Sequence, residues 1–345
     1  NATHIETLKV LSGPNSLEAA GVIADKLQLQ YAVDARNLAA SWPGLQGKLQ
    51  ASGKLSGKFS DPEVTAMINA SDMAYQQYRI DTMDANIIWQ DSQADGKADI
   101  NGFSLPGLQG KSLSMNISGT PEQHDIQILL DASELQLNAT AQGIWQAPQW
   151  QGQINQLEID QPEMGYWINV QPIKLQASKD SLRIEQSCFT QNITSLCSTV
   201  QWQETNTKIT ATLKDLPLKT LLQPLAAEAQ VEGKLNGELE LQGPVDALRG
   251  QAQFKLEQGL VTVDAGDDPL TLELRDGLVE LHIAPDSNKA ELRLKAGTAS
   301  ILAQATTGSL SRGTAARIKG NLNAEIPQLS QVSMLLPELT EVNGR

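Results

Sequence analysis

Apolar and polar residues alternate along most of this chain, and that period of two restricts the fold more than any other feature of the sequence. In VEGKLNGELELQGP, residues 231–244, Leu235, Leu239 and Leu241 are separated by polar residues. Successive side chains of a β-strand point to opposite faces, so this segment, as a strand, has one apolar and one polar face. Similar alternation occurs in further segments: 27–35, 78–90, 126–146, 208–216, 251–263, 270–284 and 290–307.

Alternation over whole strands predicts an all-β fold in which one face of the sheet meets water. Such a sheet is antiparallel or solenoidal, because the strands of a parallel sheet covered on both faces are continuously apolar. Turn signals such as Asp276-Gly277 and Ala296-Gly297 divide the alternating runs. We therefore expect an elongated, curled antiparallel or solenoidal β-sheet with a few short helices.

The alternating strands of the C-terminal half supply candidates for one continuous apolar face. These candidates are Leu235, Leu239, Leu241, Phe254, Leu256, Leu270, Leu272, Leu274, Val279, Leu281, Ile283, Leu292 and Leu294. A face of this size would exceed the few hundred Å² of contiguous apolar surface that a soluble protein leaves exposed. Either opposing sheet faces pack on each other in a closed core, or bound acyl chains cover the face. The pattern of residues alone leaves both arrangements open.

Charge and motif content exclude several function classes. The net charge is −14, and nucleic-acid binding requires clustered basic residues, so we expect no nucleic-acid partner. The sequence lacks GxSxG, HExxH and P-loop motifs, and His4, His124 and His282 are far apart in sequence. We therefore predict no enzymatic activity, no metal site and no cofactor. A second non-enzymatic possibility is a secreted β-solenoid adhesin or passenger-type structural protein with a closed core.

The two cysteines, Cys188 and Cys197, are separated by eight residues and flanked by strand-like segments. This spacing suits a hairpin whose two arms are joined by a disulfide, which would place the protein in an oxidising compartment. The alternative is a pair of unbonded buried thiols in a cytosolic protein.

Three stretches that begin near residues 37, 215 and 325 share one pattern. Each runs through a short apolar segment of helical spacing to a Pro and then to a Gly. The spacing predicts short helices near 217–225 and 327–337. The third copy stops at Arg345, and the chain does not begin with Met, so we expect residues 1–345 to be one continuous repetitive β-rich fragment of a longer protein.

Several of these segments resemble the TamB family, the inner-membrane subunit of a bacterial translocation and assembly module. The resemblance rests on GKLSGKFSDPEV with YQQYRIDTMDANIIWQ, and on its echo GKLNGELELQGPVDALRGQAQFKLEQGLVTV. The order Trp167, Pro172, Cys188, Cys197 and then LKDLPLKTLLQPL is also similar to a segment of that family, and the similarity extends from about Leu27 to the end.

The resemblance implies a periplasmic β-taco, a half-pipe trough with an apolar interior, as in AsmA-like and bridge-type lipid-transfer proteins. Phospholipid acyl chains would be its cargo, and outer-membrane biogenesis and protein assembly its wider role. Family members are anchored in the inner membrane of Gram-negative bacteria and pair with an outer-membrane barrel of the Omp85 class, TamA. We expect the anchor and the barrel-associated region to belong to parts of the full protein outside residues 1–345.

Overall fold

The computed structural model describes residues 2–162, 164–222, 230–263, 269–308 and 318–327. It describes no side chain for Leu222, Val263 or Leu270. The chain divides into two compact units, Asn1–Leu175 and Gln176–Arg345. The described residues form 22 strands and three short helices, so each unit consists of β-structure almost throughout.

The strands of the first unit follow one another through short turns. They are β1 (Thr3–Ser12), β2 (Asn15–Ile23), β3 (Lys26–Ala35), β4 (Leu45–Lys58), β5 (Asp61–Tyr75), β6 (Tyr78–Gln90), β7 (Gln93–Leu105), β8 (Leu108–Thr120), β9 (Gln123–Ala132), β10 (Gln136–Gln146), β11 (Gln149–Gln161) and β12 (Gly165–Asn169), with β13 (Ile173–Ser178) at the boundary. From β1 to β12, each strand pairs antiparallel with the next one along the chain.

The second unit repeats this plan. Its strands are β14 (Ser181–Gln191), β15 (Thr194–Gln203), β16 (Asn206–Pro217), β17 (Gln230–Gly243), β18 (Arg249–Val263), β19 (Leu270–Ile283), β20 (Ser287–Ala296), β21 (Ala299–Gly308) and β22 (Lys319–Glu325). From β14 to β22, each strand again pairs antiparallel with its successor. The prediction of an all-β fold built on an antiparallel sheet is therefore confirmed.

Local turn chemistry explains why neighbouring strands meet so closely. Between β6 and β7, the pair Gln90 and Gln93 encloses Asp91 and Ser92, whose φ angles are 52° and 59°. Two consecutive positive φ values define the two-residue turn whose twist matches that of the flanking strands. The register of this hairpin is consequently fixed at its tip.

Two residue pairs that were expected to mark turns take up different structures. Ala296-Gly297 does lie at a turn, between β20 and β21, and Gly297 has a φ of 61°. The expectation for Asp276-Gly277 was wrong, because this pair lies inside β19. Asp276 has a φ of 51°, and the register with β20 shifts between Arg275 and Leu278. The pair therefore makes a β-bulge, which inserts an extra residue without reversing the chain.

Two short helical segments occupy equivalent places in the two units. A 3-10 helix, Leu38–Ala40, connects β3 to β4, and helix α1, Leu218–Leu222, connects β16 to β17. Helix α1 coincides with the first part of the helix predicted near 217–225, and residues 223–225 lie outside the described ranges. The helix predicted near 327–337 also lies outside the described residues, apart from Pro327. Among the described residues, no helix has the length and apolar character needed to cross a bilayer.

Candidate functional site

The strand register of the second unit brings the predicted apolar residues to one face of its sheet. Residues directly opposite each other in an antiparallel pair share a face. Leu239 lies opposite Ala252, which lies opposite Leu281. One row further along the strands, Phe254 lies opposite Val279, and Val279 opposite Leu292. Following the register through the bulges places the backbone positions of all the predicted residues on this same face.

Part of this face is covered by the protein's own side chains. Leu218 of helix α1 forms a buried cluster with Val231, Leu256, Leu274 and Ala296. The cluster is closed further by Leu235, Leu272, Leu294, Val261 and Ile301, which are partly buried and pack against it. Full burial of a Leu side chain contributes roughly 1.5–3 kcal/mol, so this cluster is a local core of the unit.

The remaining predicted residues lie outside that cluster. They are half-buried and comprise Leu239, Leu241, Phe254, Val279, Leu281, Ile283 and Leu292. The Leu270 backbone pairs with Val263, but its side chain is outside the described set. The predicted face thus has a closed part under α1 and a part whose side chains are only partly buried.

The first unit has a longer apolar face that the sequence analysis missed. One row crosses ten strands, from β2 to β11, and consists of Leu17, Val33, Ala51, Ile68, Ala85, Ala98, Met115, Ile128, Ala139 and Leu157. A parallel row from β3 to β12 consists of Ala35, Leu49, Ala70, Met83, Ile100, Leu113, Leu130, Leu137, Ile159 and Trp167. We call these two rows the long apolar rows.

This face is accessible as well as apolar. Met115 on one long apolar row is 40% exposed. On the same face, Ile117 is 41% exposed and Ile87 is 42% exposed. These values are high for large apolar side chains, which are most often buried in soluble proteins. Large apolar side chains of β6 and β8 on this face are therefore accessible to solvent.

The signal for this face was present in the sequence but weak. Strand β7, QADGKADINGFSL, supplies Gly96 and Ala98 to the apolar face, and small residues hardly register in a hydrophobicity pattern. Pairing small residues with large ones across strands compensates for this. Gly96 lies opposite Ile87 and Ile117, and Ala98 opposite Met115.

The other face of the sheet carries polar and charged groups that contact each other within and between strands. On β7, the Lys97 ammonium lies 2.8 Å from an Asp99 carboxylate oxygen, and the Ser114 hydroxyl donates to that carboxylate at 2.7 Å. These two hydrogen bonds, from Lys97 first, lower the pKa of Asp99 below its usual value. In the second unit, a hydrogen bond from Arg275 lowers the pKa of Glu273. The polar face is thus a charged surface of local ion pairs.

The predicted disulfide is present on this polar face. Cys188 of β14 lies directly opposite Cys197 of β15, with a Cα–Cα distance of 4.0 Å, and the two sulfurs are bonded. Cys197 in turn lies opposite Thr212, which lies opposite Glu238. The bond joins two neighbouring strands and leaves the apolar face unchanged.

The described ranges contain no group of three or more His, Cys, Asp or Glu side chains arranged to hold a metal ion. His124 forms a structural contact: its Nδ1 lies 3.1 Å from the Thr120 carbonyl oxygen, and its Nε2 accepts a hydrogen bond from the Trp150 indole at 2.7 Å. The apolar sheet faces are therefore the candidate functional surface of the chain.

Comparison with known proteins agrees with this geometry. The sequence profile described as TamB, N-terminal domain matches residues 1–345, the whole chain. The chain belongs to the TamB family. It is also similar to the translocation and assembly module subunit TamB of Haemophilus influenzae, with 24% identity over 166 residues. That match covers 46% of this chain and 13% of the relative's length, so the TamB-like chain described here corresponds to a small part of that relative.

Proposed function

We propose that this chain shelters phospholipid acyl chains on its apolar sheet faces, as the periplasmic part of a TamB-type protein that bridges the inner and outer membranes. The observation that carries this proposal is the pair of long apolar rows in the first unit, with accessible side chains such as Met115. A face of this kind is stable in water when hydrocarbon covers it.

The energetics favour hydrocarbon as the occupant. Burial contributes about 0.8 kcal/mol for each CH₂ group, so a chain of sixteen carbons would gain roughly 12 kcal/mol if fully covered. Ten strands about 4.8 Å apart give a row roughly 43 Å long. Successive positions along a row are chemically alike, since each offers Leu, Ile, Val, Met or Ala, except Trp167 at the end of one row. An acyl chain can therefore shift along the row without crossing a polar step.

The wider role follows from membership of the family and from the relative's name. The proposed role is in a translocation and assembly module that supports outer-membrane biogenesis, and the proposed partner is an outer-membrane barrel of the Omp85 class, resembling TamA. In this proposal the full protein is anchored in the inner membrane, and the chain acts in transport and assembly without catalysing a reaction. The Cys188–Cys197 disulfide supports an oxidising compartment such as the periplasm.

A closed β-solenoid, as in an adhesin, is the second candidate, and the Leu218 cluster is the observation in its favour. A filled core of that kind leaves no room for lipid. The two candidates therefore differ in whether hydrocarbon reaches the apolar face.

Photo-crosslinking tests this difference. A p-benzoylphenylalanine is introduced at Met115 on the apolar face or, as a matched control, at Met67 on the polar face, where Met67 lies opposite Asn86 and is 60% exposed. The full-length protein is irradiated in cells, and crosslinked lipid is identified by mass spectrometry. We expect at least fivefold more phospholipid at position 115 than at position 67. Equal yields, or no lipid at position 115, would contradict the proposal and support the closed solenoid.

A further inference from the structure

An aromatic ring on the apolar face of the second unit lies across the neighbouring strand, over a glycine. Side chains of a strand ordinarily stand roughly perpendicular to the sheet. Phe254 of β18 lies directly opposite Gly237 of β17. A Cβ atom on Gly237 would lie 2.7 Å from Cε1 of the Phe254 ring, well inside the roughly 3.5–4.0 Å at which carbon atoms pack. The ring thus occupies the space that any other residue at position 237 would fill with its own side chain.

The first unit repeats this contact at two places. Phe103 of β7 lies directly opposite Gly110 of β8, and a Cβ atom on Gly110 would lie 2.5 Å from Cε2 of the ring. A Cβ atom on Gly143 of β10 would lie 2.7 Å from Nε1 of the Trp150 indole on β11. The strand register places both pairs on the same face as the long apolar rows.

The backbone does not account for these three glycines. Gly110, Gly143 and Gly237 have no φ angle in the left-handed region, so their backbone conformations are open to other residues. The three atoms nearest to a Cβ at Gly110 and at Gly143 all belong to the ring. At Gly237 the remaining neighbour is the Gln253 carbonyl oxygen, at an ordinary contact distance of 3.4 Å. The overlying ring is thus the feature at these positions that requires glycine.

The Gly237–Phe254 pair belongs to an apolar row that crosses the second unit from β14 to β22. The row consists of Phe189, Leu196, Leu213, Gly237, Phe254, Val279, Leu292, Ala303 and Leu322. Gly237 is buried and Phe254 is half-buried. On the same two strands, Leu235 and Leu256 follow and belong to the Leu218 cluster. The pair therefore lies where the partly buried part of the apolar face meets its closed part.

The position of the Phe254 ring determines how much space remains over this row. With glycine at position 237, the ring lies against β17. A Cβ atom at that position would force the ring away from the sheet, into the space that the proposed function assigns to an acyl chain. On one side of the row, the Leu218 cluster already covers the face.

We infer that Gly237 is a positioning residue for the lipid path, because it holds the Phe254 ring against the sheet and so keeps the row open to acyl chains. Gly110 with Phe103, and Gly143 with Trp150, have the same role in the first unit. This inference rests on the function proposed above and adds the residues that set the free space over the apolar faces.

The test compares the lipid found on the two sides of the pair. In the full-length protein, p-benzoylphenylalanine replaces Leu196, two strands before Gly237 along the row, or Leu292, two strands after Phe254. After irradiation in cells, crosslinked phospholipid is quantified by mass spectrometry. In Gly237→Ala we expect the ratio of the two yields to change at least threefold, because the displaced ring obstructs passage between them. Gly308→Ala is the matched control and should keep the wild-type ratio, since a Cβ atom there has no neighbour within 4 Å.

Removal of the ring separates lipid passage from stability. Gly237→Ala combined with Phe254→Ala should restore the wild-type ratio of lipid yields, while its urea midpoint stays below that of the wild type. A wild-type ratio in Gly237→Ala, or an altered ratio that persists in the double variant, would overturn this inference alone, because lipid would still be bound. Absence of crosslinked lipid at both positions in the wild type would overturn the proposed function together with it.

The Phe103–Gly110 pair provides a second test if Gly237→Ala does not fold. Met83 and Leu130 lie on one long apolar row and flank β7 and β8, the strands that carry this pair. Gly110→Ala should change the ratio of lipid yields at positions 83 and 130 at least twofold, and the additional change Phe103→Ala should restore it. An unchanged ratio in Gly110→Ala would overturn the inference for the first unit.

Discussion

Both units consist of antiparallel β-sheet with one apolar face, but they differ in how far their own side chains cover that face. In the first unit, the connection between β3 and β4 is a 3-10 helix with no buried residue, and Leu17 and Met115 of the long apolar rows are exposed. In the second unit, the equivalent connection between β16 and β17 carries Leu218, which is buried over Leu256 and Leu274. The alternation of the strands therefore creates the apolar face, and the segment between two strands decides whether the protein covers it.

The units also differ in their aromatic residues. Eleven of the fourteen aromatic side chains belong to the first unit, and Trp42, Tyr75 and Tyr78 are among its exposed residues. The three in the second unit, Phe189, Trp202 and Phe254, are all described and all at least half-buried. All exposed aromatic side chains therefore belong to the first unit.

The largest expected loss of stability comes from a charge placed in the buried Leu218 cluster of the second unit. Leu256→Asp places a carboxylate in the buried cluster with no charged partner, and should destabilise the unit by about 3–5 kcal/mol. Leu239→Asp, at a partly buried position outside that cluster, should cost less, about 1–3 kcal/mol, and, on the proposed function, should reduce lipid crosslinking. Urea unfolding of both variants provides the comparison. Equal losses of stability would show that the two parts of the face do not differ in closure.

A smaller loss of stability is expected from shortening Leu218, the side chain of α1 that covers the cluster. Leu218→Ala removes the side chain that α1 inserts into the cluster, and should lower the free energy of unfolding by about 2–4 kcal/mol. The matched change in the first unit, Leu38→Ala, should cost less than about 1 kcal/mol, because that 3-10 helix buries no residue. Urea midpoints measured with an unchanged m-value would establish both figures. A larger loss from Leu38→Ala would remove the distinction between the two connections.

Loss of the disulfide should have an effect confined to the second unit. Removing the Cys188–Cys197 bond with paired Ser substitutions should cost about 2–3 kcal/mol, as expected for a bond that closes a short loop. Hydrogen exchange should then accelerate in β14 and β15 and remain unchanged in β2 to β11. Faster exchange across the first unit as well would indicate that the two units do not unfold independently.

The smallest expected effect is a loss of stability of the second unit at low pH. Hydrogen bonds from Arg275 and Lys295 lower the pKa values of Glu273 and Asp276 below their ordinary values of 4.5 and 3.8. A lowered pKa stabilises the folded state above the ordinary value, and this contribution is lost as the pH falls through the lower folded value. Stability of the second unit should decrease slightly below about pH 4, and Glu273→Gln should reduce that slope. Asp276 is exposed and Glu273 is partly exposed, so a steep loss would point to other groups.

The alternation of apolar and polar residues was enough to predict the strands and the residues that share a face. Leu235, Leu239 and Leu241 share a face because a period of two requires it. The closure of the Leu218 cluster was not predictable, since it depends on how a helix outside the alternating segments packs with residues of four strands, β17 to β20. The Asp276-Gly277 bulge was mistaken for a turn, because the same two residues supply a positive φ in both settings.

The apolar face of the first unit was harder to predict than that of the second. Several of its strands contribute Ala and Gly to this face, such as Ala85 and Gly96. Their apolar character becomes evident only when the register sets them beside Ile68 or Ile117.

Pairing of each strand with its successor makes the sheet modular. Adding or removing one complete hairpin leaves the direction of the following strands unchanged. Their apolar side chains therefore stay on the same face of the sheet. Inserting a single strand would reverse the direction of everything that follows. Chains of this type can therefore change length in evolution by whole hairpins, and the distance that they span can be adjusted without redesigning any individual strand.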